Sequence, residues 1–175
     1  MKRIAALVIT FVMTVLLSAC SSSSSGSGPS VSYQGVTVTN ASDLKVAPTV
    51  TSKSSDKPSA LGIKDIVVGG GEAASPTATV QVQYVGVRYA DGVKFDSSWE
   101  RGQAATFPLT GVVPGFTQGI GGASGIAPMK VGGRRIMILP ADLAYGASGR
   151  PPEIPANAPL VFVVDLIKVT PSPVG

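Results

Sequence analysis

From Thr77 to Tyr89 the chain reads TATVQVQYVGVRY, with Val80, Val82 and Tyr84 alternating against Gln81 and Gln83. A period of two is that of a strand with one face buried and one face polar. The alternation changes phase near Gly86, which predicts a bulge there. Asp91-Gly92 follows as a hairpin signal. Shorter apolar runs read as further strands: IKDIVVGGG, KFDSS, ATFPL, RRIMILP and LVFVVDLIKV. KVAPTVTS alternates enough to add an extended strand earlier in the chain. The one helix signal is short, PGFTQGI, with Pro114 suited to a first turn. Many strands, close turns and one helix predict an α+β domain, an antiparallel sheet with a short helix packed on it.

Polar composition divides the chain. Residues 1–20, MKRIAALVITFVMTVLLSAC, have two basic residues and then an apolar run, as a secretory signal does. The run from Ile4 to Leu17 is shorter than the ~20 residues of a spanning helix. It ends in LSAC, which resembles the bacterial lipobox. The expected outcome is cleavage before Cys20 and lipidation of its thiol, against the alternative of an ordinary signal with a stray cysteine. Cys20 is the only cysteine, so no intramolecular disulfide is possible. Residues 21–42 begin with a Ser/Gly tract and read as a flexible linker. Residues 43–60 read as an extended N-terminal segment, and 61–171 as the compact domain. These features predict a lipid-anchored protein on the extracytoplasmic side of a bacterial envelope membrane.

Charge changes the picture little. The formal net charge is +4, but Lys and Arg nearly balance Asp and Glu from residue 61 onward. Without a basic stripe, nucleic acid is not an expected partner. The domain's charges read as solvated surface. There is no histidine, which removes Ser-His-Asp and Cys-His catalysis and most zinc sites. No phosphate-binding loop motif is present. SDLK and SSDK match S-x-x-K, but they lie in a Ser-rich region without the accompanying motifs. No cofactor or metal is expected. What remains is a site of aromatics, one carboxylate and backbone amides.

Seven stretches taken in order carry a resemblance: VQYVG, DGVKFDSSWERG, ATFPL, GVVPGFTQGI, KVGGRR, LPADLAYGASG and IPANAPLVFVVDLI. Together they resemble FKBP-type peptidyl-prolyl cis-trans isomerases over roughly residues 61–171. The resemblance implies a strongly bent antiparallel sheet, a half-barrel, wrapped around one short helix. It implies a pocket lined by Tyr84, Phe95, Asp96, Phe107, Val112, Val113, Phe116, Tyr145, Ile154 and Phe162. Asp96, Tyr145 and Tyr84 take the catalytic roles by this likeness, and the others bind substrate. Phe116 would be the floor under the proline ring, and Tyr84 would donate its hydroxyl to Asp96. The Val113 N–H and Tyr145 hydroxyl would hold ligand carbonyls. Residues 144–160 would be a flap with Tyr145 at its base and Ile154 near its tip.

Implied partners are proline-containing polypeptides and the macrolide inhibitors of the family, with the chain acting as a monomer. Four features depart from the family's pattern: Phe116 replaces a common Trp, Ala105 replaces an aromatic, residues 121–128 look like an insertion that could shift the helix or add a mobile rim, and Arg150 sits where the flap often carries another polar residue. They leave room for a proline-binding chaperone or surface interaction module with little turnover.

Overall fold

A computed structural model describes residues 28–171. The expected signal peptide and Cys20 lie outside the described residues. Three short strands come first: β1 (Val31–Tyr33), β2 (Val36–Thr39) and β3 (Thr49–Ser52). They form a separate antiparallel meander in the order β1-β2-β3. The main sheet holds β4 (Gly62–Val67), β5 (Thr79–Arg88), β6 (Lys94–Ser97), β7 (Ala105–Pro108), β8 (Arg134–Leu139) and β9 (Leu160–Thr170). Its order is β4-β8-β9-β5-β6, with β7 also on β5, and every pairing is antiparallel. The sheet is curved and unclosed, and one helix, α1 (Pro114–Gly121), packs on it. No described helix is long and apolar enough to cross a membrane.

The central strands are buried on both faces, which is why they read as nearly continuous apolar runs. On the helix side lie Val80, Val82, Tyr84, Met137, Leu139, Leu160, Phe162, Val164 and Leu166, with Phe116 and Ile120 of α1. On the other side lie Val85, Val87, Ile136, Ile138, Val161 and Val163, covered by Val36, Val38 and Val50 of the small sheet. The predicted phase change in β5 is present as a register shift against β6 between Gly86 and Val87.

The small sheet corrects the linker reading. Residues 31–39, expected within a flexible segment, form a hairpin whose turn residues Gln34 and Gly35 have φ of 45° and 76°. Two successive positive φ angles are those of a type I′ turn, whose twist matches paired strands. Val36 and Val38 are fully buried, and their burial holds in place a segment whose Ser/Thr-rich composition suits coil and strand alike.

The solvated-surface reading of the charges is also corrected. Adjacent strand residues point to opposite faces, and Arg134 and Arg135 use this to tie down two different parts of the molecule. Arg134 is fully buried. It grips Asp165 with Nε and Nη2 at 2.5 and 2.6 Å, and reaches the carbonyls of Asn40 (2.7 Å), Ala41 (3.2 Å) and Val46 (3.1 Å). The N-terminal meander is thereby fastened to the main sheet. Arg135 grips Asp65 at 2.6 and 2.9 Å and the carbonyls of Gly119 and Ala127 at 2.7 and 2.8 Å. Segment 121–128 is therefore pinned at the C-terminal end of α1, closed by an Ala123–Ile126 bridge, and forms no rim of the pocket described next.

Candidate active site

The site lies between α1 and the concave face of the main sheet. Strand β5 provides Tyr84, whose backbone N–H donates to the buried Ser98 Oγ at 2.8 Å. Two short strands share one edge of β5. Strand β7 pairs with its first half, setting Phe107 opposite Val80, and β6 with its second, setting Asp96 opposite Gly86. Gly86 leaves space that the site needs. A Cβ there would stand 2.7 Å from Phe95 and 3.1 Å from Phe162, whose rings meet edge-on at 5.5 Å.

The aromatic rings form one connected wall. Phe116 of α1 meets Phe162 at 5.3 Å, Phe107 at 6.1 Å and Tyr84 at 6.3 Å between centroids, all close to edge-to-face, a favoured arrangement of aromatic pairs. They enclose a cavity of about 280 Å³, lined also by Phe95, Asp96, Gly111, Val112, Val113, Tyr145 and Arg150. Nine of the ten residues expected in the pocket are gathered here. Ile154 is not. It is 2% exposed, paired with Arg150 through N–O contacts of 2.8 and 3.0 Å, and packed into the helix-side core. The exposed tip of the flap is Pro151–Glu153. Backbone pairing turns Ile154 inward, where it borders a shallower cleft beside the main cavity with Phe95, Asp96, Arg101 and Glu153. Ala105 packs against the core and is absent from the pocket wall.

Polar groups at the rim are arranged by arginines. The Tyr84 hydroxyl donates to Asp96 Oδ2, Arg101 Nη1 donates to Asp96 Oδ1, and Arg101 Nη2 donates to the Tyr84 oxygen at 2.8 Å. Burial, and then the hydrogen bond to Asp96, push the Tyr84 phenol up to about 12. Tyr84 and Asp96 in turn raise the pKa of Arg101. Tyr145 is placed differently. It interacts with the Arg150 guanidinium, and that hydrogen bond raises the pKa of Arg150. A guanidinium can only donate, so the Tyr145 oxygen accepts and its own hydrogen remains available to a ligand. At the start of α1, the Val113 carbonyl accepts from Phe116 at 2.9 Å and Thr117 at 3.2 Å. The Val113 N–H has no hydrogen-bond partner among the described residues.

Arg101 and Ser98 were not among the residues expected at the site, and Arg150 was expected only as a departure in the flap. For Arg101 a signal existed, since it lies five residues after Asp96 in the same connection. Arg150 follows Tyr145 by the same interval.

A curved antiparallel sheet wraps over one short helix, with an aromatic cavity between them and the Tyr145 hydroxyl and Val113 N–H at its rim; this defines a small α+β domain with an apolar binding cleft. The chain belongs to the FKBP-type peptidyl-prolyl cis-trans isomerase family, whose model matches residues 70–167, and it is an enzyme of that type. It is 46% identical over 110 residues to a probable FK506-binding protein of Corynebacterium glutamicum, covering 63% of this chain and 87% of that one. It is 42% identical over 119 residues to the FKBP-type isomerase FkpA of Escherichia coli, covering 67% of this chain and 41% of FkpA. Among solved structures, AtFKBP13 superposes with a TM-score of 0.60 at 37% identity, covering 66% of this chain and 98% of the other.

Proposed function

We propose that this chain accelerates rotation about X-Pro bonds in exported polypeptides, as a monomer held by a lipid on Cys20 to the extracytoplasmic side of a bacterial membrane. The observation that carries the catalytic part is the pairing of an aromatic cavity with two unsatisfied donors at its rim, the Tyr145 hydroxyl and the Val113 N–H.

Amide resonance sets a barrier of ~18–20 kcal/mol to rotation, and at X-Pro the two isomers exchange in tens to hundreds of seconds. Resonance is lost in the twisted state, so the carbonyl becomes less polar and the nitrogen more basic. Water favours the planar, polarised form. A ring seated on Phe116 between Phe107, Phe162 and Tyr84 leaves water behind, and that preference goes with it. Tyr145 and Val113 then hold the carbonyls on either side of the turning bond, oriented before the bond turns. Tyr84, Asp96 and Arg101 keep the rim in one arrangement. No proton is transferred and no nucleophile is needed, in keeping with a chain that has no histidine. Each ~1.36 kcal/mol of preference for the twisted form is tenfold in rate.

The test is an isomerisation assay of a proline-limited peptide with residues 28–175, with and without a macrolide inhibitor of the family. Acceleration abolished by the macrolide supports the reading. Tight peptide binding without acceleration would replace it with a proline-binding chaperone.

A further inference from the structure

Five arginines lie among the described residues. Four stand within ion-pair distance of a carboxylate: Arg88 with Asp91, Arg101 with Asp96, Arg134 with Asp165 and Arg135 with Asp65. Arg150 makes no such pair among the described residues, although the charges of Asp96 and Glu153 both act on it from farther off. Asp96 lines both the aromatic cavity and the side cleft with Arg150 but is already engaged by Tyr84 and Arg101. Glu153 borders the side cleft but not the aromatic cavity. Arg150 borders both spaces, beside the Tyr145 hydroxyl. Its backbone is pinned in both directions to Ile154, a buried residue, so the position of the side chain's root is set by the core. Its guanidinium donates to Tyr145, and a group with several N–H donors has others left for a ligand at the rim of the cavity.

The geometry points to Arg150 as a specificity-determining residue that favours substrates with a carboxylate side chain immediately before the proline. This rests on the prolyl-isomerase reading of the pocket and adds a substrate class to it. The carbonyl that turns belongs to the residue before the proline. With that carbonyl on the Tyr145 hydroxyl, the same residue's side chain begins two bonds from the carbonyl carbon, within reach of the guanidinium from which Tyr145 accepts. A Glu or Asp there meets a planar group with several N–H donors, a geometry suited to carboxylates. A Lys there meets a like charge.

The experiment uses two blocked peptides, Ala-Glu-Pro-Phe and Ala-Gln-Pro-Phe, nearly isosteric and one charge apart. The quantity read is the ratio of their kcat/KM values with wild type, Arg150→Gln and Arg150→Lys. An ion pair at an exposed rim gives a preference for Glu of about two- to fivefold at low salt. The ratio should fall toward one near 1 M salt, where charges are screened beyond ~3 Å. Arg150→Gln should bring it to one or below at every salt concentration, and Arg150→Lys should keep part of it. Acceleration of both peptides with no preference in the wild type, or with a preference that survives Arg150→Gln, would overturn the assignment and leave the isomerase reading standing. No acceleration of either peptide would overturn both.

Discussion

The Tyr84 hydroxyl donates to Asp96, and Arg101 closes that contact into a ring of three side chains by donating to both. The carboxylate thus stands at the edge of an aromatic cavity with its charge matched and its orientation set. Asp96→Val should leave the fold intact, by circular dichroism, because Asp96 is only half-buried. Isomerase kcat/KM should fall about tenfold or more, since a hydrogen bond to a charged group is worth ~1.5–3 kcal/mol. Turnover of an X-Pro peptide equal to wild type would remove Asp96 from the catalytic machinery.

The same ring makes Tyr84 a marker at alkaline pH. Its phenol is pushed up to about 12 by burial first and Asp96 second, against ~10 in an unfolded chain. The folded state therefore holds the proton more tightly. The stability this contributes is complete below pH ~10 and is lost as pH rises from ~10 through about 12. Absorbance titration of the phenolates should find one tyrosine ionising late, and Asp96→Asn should bring it earlier. Unchanged titration in that variant would mean burial alone sets the value.

Tyr145 holds the opposite position, with its hydrogen unspent. Tyr145→Phe removes one neutral donor and keeps the ring. The expected loss is ~0.5–1.5 kcal/mol, a several-fold drop in kcat/KM, with unfolding by urea unchanged within error because the hydroxyl is at the rim.

How much of this was visible in sequence depended on whether the physics was local. Alternation in β5 announced a strand because Val80, Val82 and Tyr84 share one buried face. The helix was legible from Pro114 because its first turn needs no N–H there. Nine pocket residues were reachable through the resemblance, because each lies in a short stretch with its own pattern. Ile154 was misplaced because a Pro-rich connection reads as exposed, whereas its pairing with Arg150 turns it into the core. Arg134 and Asp165 lie 31 residues apart, and nothing near either one indicates that the other will neutralise it. Ser/Thr-rich strands β1 and β2 are ordered by burial against a surface that the sequence does not place beside them.

That burial predicts a cost for trimming the chain. A fragment starting at residue 61 exposes Val85, Val87, Ile136, Ile138, Val161 and Val163, and leaves Arg134 without the carbonyls of Asn40, Ala41 and Val46. It should unfold at a lower urea midpoint than residues 28–175, or aggregate. Within the longer fragment, Asp165→Asn removes the carboxylate from a buried pair, a change that typically costs ~3–5 kcal/mol. Equal urea midpoints for the two fragments would mean the meander is not part of the folding unit.

Anchoring through Cys20 carries its own expectation. Mass spectrometry of the mature protein should find cleavage before Cys20 and acyl mass on it, and Cys20→Ala should leave the precursor unlipidated. An unmodified Cys20, or cleavage elsewhere, would exclude this anchor. One acyl chain gives only marginal attachment, and two make it stable.

The N-terminal meander also sets a working radius. Because Arg134 fastens the segment around Asn40 to the main sheet, the folded unit reaches back at least to Gly28, well before residue 61. Were Cys20 lipidated as proposed, eight residue steps would lie between it and Gly28, at most roughly 30 Å of chain. That limit would hold the catalytic mouth within about one protein diameter of the membrane. It would favour chains just emerging from that membrane over those already diffusing away, so that encounter geometry would help decide which prolines are turned.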